Sequence, residues 1–387
     1  NQLDRRLGNG LLGGQILLLP RSESQRLDHV CTRGELGPEQ LSQLARLVVA
    51  FHDAAAVAGP DTRFGEPAQV LAPALDNFAP LRARLPGQAP RLDALEAWTR
   101  AEFARIEPAL AARKAGGRIR ECHGDLHLAN LVLIDGQPQL FDAIEFNPAL
   151  RWIDCVADIA FLAMDLEARG RADLAWRFLN AWLEHTGDYA GLQVLQYYRV
   201  YRALVRARVA GMRLTQVEGE REGEGEDEVG VGVGGEGVGD KRAASLREVR
   251  RYLALALRFT EPRTVELWLA HGFSGAGKST QSQALIAERG VVRVRADVER
   301  KRLFGLAPQA SSAACARARS QSVASITIDT WRSISFALVA STSTIRLLYT
   351  LPTRIMAPVE IMFSTSFCAV PAFRRVEPVT TSGPTTG

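Results

Sequence analysis

The chain has 387 residues, 47% of them hydrophobic and 23% charged, with a formal net charge of +4. That composition is ordinary for a soluble globular protein, at a length that holds two or three domains. The small charge decides nothing about nucleic acid, but no basic run with interleaved aromatics speaks for such a partner. No signal peptide is evident and no apolar run is long enough to span a bilayer, so no membrane association is expected. The five cysteines are scattered, odd in number and never paired as CxxC. This fits a reducing compartment, and the cytoplasm is the expected location. The first residue is Asn1 rather than Met, which predicts an incomplete N-terminus.

Residues 1–34 form a poorly defined remnant in which LLGGQILLLP reads as one short strand. A helix is predicted from Gly37, with Pro38 in its first turn and Leu41, Leu44, Val48 and Phe51 at helical spacing. His52 on that helix reads as a packed or capping residue, not a ligand. A second helix is predicted from about Arg91 to Lys114 and stopped by Gly116-Gly117.

The chain is organised around RIRECHGDLHLANLVLIDGQPQLFDAIEF, residues 118–146. Gly124 permits a tight bend, and Asp135-Gly136 is a strong turn signal between two extended runs. A loop over Asp135–Pro138 sets Ile134 opposite Gln139 and Leu131 opposite Asp142. Asn130 and Asp142 then share the open end of one hairpin, fed by the loop that carries Asp125. Two carboxylates and an amide at one place suit phosphoryl transfer: one Asp takes the proton of an attacking hydroxyl, and hard oxygen ligands hold magnesium. His123 and His127, four apart, are a weaker zinc reading.

HGDLHLAN followed by FDAIEF resembles the aminoglycoside phosphotransferase family, which shares the protein-kinase-like fold. The resemblance implies Asp125 as catalytic base, Asn130 and Asp142 as metal ligands, and His123 as a brace for the loop. RWIDCVADIAFLAMDLEARGR reads as one helix, on which the resemblance implies an acid that ties down the catalytic loop. Asp158 is the candidate and Asp154 the competitor. Residues 197–214 read as an amphipathic helix with snorkelling Arg stems. Residues 35–215 are taken as this domain.

Residues 216–242, rich in Gly, Glu and Val, read as a flexible acidic linker. The second domain is taken to start at 243, with a helix over 243–260. VELWLAHGFSGAGKSTQSQALIAERG then gives strand, glycine loop and helix. Gly272, Gly277, Lys278 and Ser279 complete GxxxxGK(S/T), a P-loop. Its nucleotide-binding residues are expected to be Gly272, Ser274, Gly275, Ala276, Gly277, Lys278, Ser279 and Thr280, with Ser279 on magnesium. VVRVRADVERKRL follows at the distance of a second strand. Asp297 and Arg300 resemble the DxxR of P-loop kinases, which implies a catalytic Asp297 and a phosphate- or substrate-binding Arg300. The order of phosphotransferase-type lobe, linker and P-loop kinase resembles bacterial bifunctional aminoglycoside phosphotransferase/ATP-binding proteins, over about residues 27–308.

Two departures stand out. A kinase-like fold needs an upstream sheet, flap and Lys, yet the first lysine in the chain is Lys114. After Leu306 the pattern is lost, so 309–387 is an unassigned tail that reads as frame-shifted, with ITIDT (326–330) as a weak Walker B candidate. The expected fold is helix-rich α/β: a kinase-like C-terminal lobe joined to part of a doubly wound P-loop domain. The expected function is ATP- and Mg2+-dependent phosphotransfer to a small-molecule hydroxyl. The alternative is a nucleotide-binding regulatory module without transfer activity.

Overall fold

The structure is a computed structural model that describes residues 23–223, 238–262, 267–271 and 277–306, and in the tail the strand segments 324–330, 334–340, 345–350, 356–361 and 372–376. Side chains are described over 24–214, 239–262 and 277–306, apart from those of residues 296, 297 and 300. The chain divides into two compact units, residues 1–186 with 191–261, and residues 187–190 with 262–387.

The first unit opens with α1 (Leu27–Thr32) and α2 (Pro38–Ala54). α2 begins where its sequence signals predict: Pro38 occupies the first turn and the Gly37 N–H donates to Gln40 Oε1 at 2.9 Å. α3 (Pro67–Leu75), α4 (Phe78–Arg84) and α5 (Ala89–Ala115) follow. The α5 stripe of Leu92, Leu95, Phe103, Ile106 and Leu110 is buried, as its spacing requires. Next come β1 (Ile119–Glu121), the hairpin β2 (Leu131–Ile134) and β3 (Gln137–Leu140), and α6 (Pro148–Arg151).

The single helix expected over RWIDCVADIAFLAMDLEARGR is broken. Trp152–Asp154 forms β4, which pairs antiparallel with β1, and the helix proper, α7, runs Cys155–Ala168. Asp154 makes the break by capping α7, accepting the Val156 N–H at 2.8 Å. Every α7 residue from Cys155 to Glu167 is buried, the mark of a helix surrounded by protein. α8 (Ala172–Thr186), α9 (Leu192–Gly223) and α10 (Val238–Thr260) complete the unit.

Three expectations change here. The predicted linker over 216–242 is entered by helix from both ends, α9 running to Gly223 and α10 starting at Val238; residues 224–237 lie outside the described residues. Second, α10 does not open the P-loop unit. Its Val249, Tyr252, Leu253, Ala256 and Phe259 pack with Val200, Ala203, Leu204 and Ala207 of α9 in one core, so the boundary falls after Glu261. Third, two of the α9 arginines do not snorkel. Arg199 and Arg202 are 0% and 5% exposed. Arg199 is paired with Glu167 and lies 3.9 Å over the Phe259 ring, because α7 supplies an acid inside the core.

In the second unit β5 (Leu267–His271) precedes α11 (Lys278–Arg289) and α12 (Ala296–Leu303). Residues 291–295 form no strand, so Asp297 sits in the first turn of α12, not at a strand end. β5 pairs antiparallel with β10 (Ala372–Val376). ITIDT falls in β6 (Ala324–Thr330), the first strand of an antiparallel meander with β7 (Ile334–Ala340), β8 (Ile345–Thr350) and β9 (Met356–Ile361). Among the described residues no helix is long and apolar enough to cross a membrane.

Candidate active site

The β2–β3 turn is tighter than the sequence reading. Asp135 (φ 50°) and Gly136 (φ 74°) form a two-residue turn with both central residues left-handed, the geometry that matches strand twist in hairpins. Ile134 therefore lies opposite Gln137 and Leu131 opposite Leu140, two residues from the predicted register. A shift of two keeps every side chain on its face. The open end survives: the Phe141 N–H donates to the Asn130 carbonyl at 3.2 Å, holding Asn130 beside the Phe141-Asp142 segment. Asp142 is exposed and sits at φ 60°, a left-handed conformation that aspartate adopts more readily than most non-glycine residues.

Asp125, Asn130 and two histidines form one network. Asn130 Nδ2 donates to Asp125 Oδ2 at 2.9 Å and to the Asp125 carbonyl at 3.0 Å. His127 Nδ1 accepts the Ala129 N–H at 3.2 Å, which leaves Nε2 as the protonated nitrogen, 3.4 Å from Asp125 Oδ2. Burial pushes the Asp125 carboxyl up, but the His127 hydrogen bond and charge, with Arg202 and His123, bring it down to about 2. The side chain is 38% exposed, so an ionised carboxylate faces the solvent side of the loop.

His123 is the brace. Its Nε2–H donates to the Phe141 carbonyl at 2.9 Å, and its Nδ1 accepts the Asp125 N–H at 3.3 Å. One neutral ring thus joins Asp125 to the strand end that carries Asp142. Burial holds its pKa below the ordinary imidazole value. A folded-state pKa below the unfolded value means that the unfolded chain takes up the proton first. The contribution of His123 is then fully present above about pH 6.5 and is lost as pH falls below it. His123→Asn keeps one donor and one acceptor without the titration. Its chemical-denaturation stability should fall less between about pH 6.5 and 5 than that of the wild type; equal slopes would remove His123 from the pH dependence.

The loop is clamped from beneath by α7. Asp158 Oδ2 accepts the His123 N–H at 3.1 Å and its Oδ1 the Gly124 N–H at 3.0 Å. Asp158 is fully buried, and its Oδ2 also meets His52 Nε2 at 3.1 Å. Asp165, two turns further along the same face, accepts the Leu128 N–H at 3.1 Å. Asp154, the competitor, is elsewhere engaged: Arg113 grips it at 2.5 and 2.8 Å in a buried bidentate pair. Gly124 is fixed by geometry. At φ 82° a Cβ there would meet the Leu150 carbonyl oxygen at 2.7 Å. Gly124→Ala should therefore lower stability by about 1–3 kcal/mol, read as a fall in the denaturation midpoint.

Sequence reasoning missed His52, Asp165 and Arg202 as neighbours of this loop, and weighed His127 only as a zinc ligand. The seven-residue spacing of Asp158 and Asp165 was the available signal for the second clamp. His123 and His127 do not pair as a zinc site, since each Nδ1 already accepts a backbone N–H. The oxygen donors are of the kind magnesium takes: Asn130 Nδ2 is spent on Asp125, which leaves Oδ1 as its donor atom, and Asp142 carries an exposed carboxylate. A cleft beside the loop is lined by Phe64, Trp152, Tyr198, Tyr201 and Arg202.

This constellation, an aspartate and asparagine on a loop tied to a hairpin whose far strand leads to a second aspartate, lies within residues 4–198, which the profile of the phosphotransferase enzyme family matches. The chain belongs to the phosphotransferase enzyme family. A second profile, an AAA domain, matches residues 267–343, past Leu306, where the sequence pattern was lost. Uncharacterized proteins of Mycobacterium tuberculosis and Mycobacterium bovis are 34% identical over 197 residues, 51% of this chain. The match spans about a third (35%) of the length of those relatives. An ethanolamine kinase of Plasmodium vivax aligns over 58% of this chain and 62% of its own, at 12% identity and a TM-score of 0.34. The family match and the AAA-domain match together support a kinase-like, nucleotide-binding character.

In the P-loop, Gly272, Ser274, Gly275 and Ala276 lie outside the described residues. Gly277 caps α11 at φ 78°, and Lys278, Ser279 and Thr280 form the first turn. Arg293 Nη1 donates to the Ser279 carbonyl at 3.3 Å. Asp297 and Arg300 share α12, and their side chains are outside the description.

Proposed function

We propose that the first unit transfers the terminal phosphoryl group of ATP to a hydroxyl of a small molecule, in the cytoplasm. Asp125 is the base, and Asn130 and Asp142 hold Mg2+. The observation that carries this reading is the Asp125 carboxylate, ionised and partly exposed, with one oxygen fixed by Asn130 at 2.9 Å. A carboxylate held near 2 is a weak proton sink. Its main work is to orient the hydroxyl, and it takes the proton late, as suits a loose transition state. Magnesium, when bound, supplies neutralisation of the phosphate oxygens. Asp158 and His123 position the loop. The Phe64–Trp152 cleft is the proposed entry for the acceptor.

The second unit is proposed to bind ATP through Gly272–Thr280, with Lys278 on the outer phosphates, Ser279 on Mg2+, Asp297 facing an acceptor and Arg300 a phosphate. Lys278→Ala should weaken binding of a fluorescent ATP analogue with magnesium by roughly tenfold or more, since a charge-assisted phosphate contact is lost. Asp125→Ala should leave that binding nearly unchanged, because Asp125 and Lys278 belong to separate compact units and sites that share no partner act independently. Equal loss in both variants would merge the two motifs into one composite site. Nucleotide binding without transfer to any of a broad panel of hydroxyl acceptors would favour the regulatory-module alternative.

A further inference from the structure

Behind the catalytic loop lies a cluster that phosphotransfer does not use. His52 comes from the last turn of α2, Cys122 from the residue after β1, and Cys155 from the first residue of α7. A ring nitrogen of His52 and the two Sγ atoms all lie within 4.8 Å of one another. The three residues are 3%, 2% and 5% exposed. His52 Nε2 is committed to Asp158, whereas Nδ1 is buried with no hydrogen-bond partner.

We propose that His52, Cys122 and Cys155 form a buried binding site for a thiophilic transition-metal ion of the zinc class, coupled through Asp158 to the catalytic loop.

Two buried thiols and a packed histidine can be plain core, because cysteine is often buried as a small hydrophobe. Two features depart from plain core. Buried polar atoms are ordinarily paired, yet Nδ1 is not. A carboxylate on the far nitrogen is how proteins fix the tautomer of a metal-binding histidine, and here Asp158 has that place. Two thiolates, a neutral imidazole and a divalent cation sum to zero charge, which a dry interior tolerates. The donor set of two sulphurs and one nitrogen selects zinc over magnesium, so this site is distinct in chemistry from Asn130 and Asp142.

The ion would pin α2, β1 and α7 at one point. His52 then bears on Asp158, whose two oxygens hold the His123 and Gly124 N–H groups. Occupancy would stiffen the loop that carries Asp125 without touching a substrate.

The test uses the full chain, purified with reductant, treated with chelator and titrated with Co2+. About one equivalent should bind with a thiolate-to-cobalt charge-transfer band, which Zn2+ then bleaches. Oxygen-bound cobalt at a magnesium site gives no such band. Cys155→Ser and Cys122→Ser should each lose the band, while Cys31→Ser keeps it. Zn2+ should raise the thermal midpoint of the wild type and of Cys31→Ser, but not of Cys155→Ser. If a serine variant fails to fold, the wild-type titration still decides. A reduced wild type that shows no charge-transfer band overturns the proposal. So does a band that persists in folded Cys155→Ser, which would assign the metal to other cysteines.

Discussion

Asp125→Asn should lower phosphotransfer by about 10²–10⁴-fold, the usual worth of a positioned base, while the protein keeps its fold and its nucleotide affinity. The substitution retains an oxygen for the Asn130 Nδ2 contact at 2.9 Å. What it removes is the negative charge and the proton-accepting electron pair. Because Asp125 is held near 2, the wild-type rate should show no acid limb in the ordinary carboxylate range near pH 4; its limb should lie lower. The measurement is initial rate against pH for wild type and variant with whichever acceptor turns over. A variant rate within a few-fold of wild type would show that Asp125 is not the base, and that the network serves only to shape the loop.

Asp158→Ala should have the largest effect on stability. The side chain is fully buried and serves three donors: the His123 and Gly124 N–H groups and His52. Burial alone would raise its pKa, but the His52 hydrogen bond and charge, with His123 and Arg202, hold it below the usual carboxylate value. A depressed folded-state pKa contributes stability that is present above the unfolded value and lost as pH falls through the folded one. Breaking a buried pair by removing one partner costs about 3–5 kcal/mol, which in a unit of this size is roughly 10 °C in the thermal midpoint. Because the chain has two units, the fall should appear in one transition and spare the other. A midpoint unchanged by Asp158→Ala would mean that the loop is held elsewhere, with Asp165 through Leu128 the next candidate.

The local chemistry was legible in the residues themselves. Pro38 and the apolar spacing after it fixed α2; Gly116-Gly117 ended α5; Asp135-Gly136 announced a hairpin turn. The loop residues Asp125 and Asn130 could be placed together because a strand and a turn follow them at short range. Those signals are backbone preferences and periodicities, which act over one or two turns of chain and survive in any fold. Even there, the turn chemistry was underweighted. Asp-Gly favours the two-residue turn, and the longer loop put the register off by two.

Tertiary structure alone decided the rest. The family resemblance favours Asp158 over Asp154, but that Arg113 claims Asp154 across 41 residues is visible only in the packed chain. His52, read as a packed residue, is indeed packed, but its partner stands 106 residues away. Arg199 looked like a surface cation until α7 brought Glu167 against it inside the core. Likewise α10 follows the acidic stretch in sequence but belongs with α9, because its apolar face is buried in the core that α9 shares with α5 and α7. In each case the deciding quantity is a pairing between distant segments. A linear pattern records which residues want partners, and only the packed chain determines which partner each one gets.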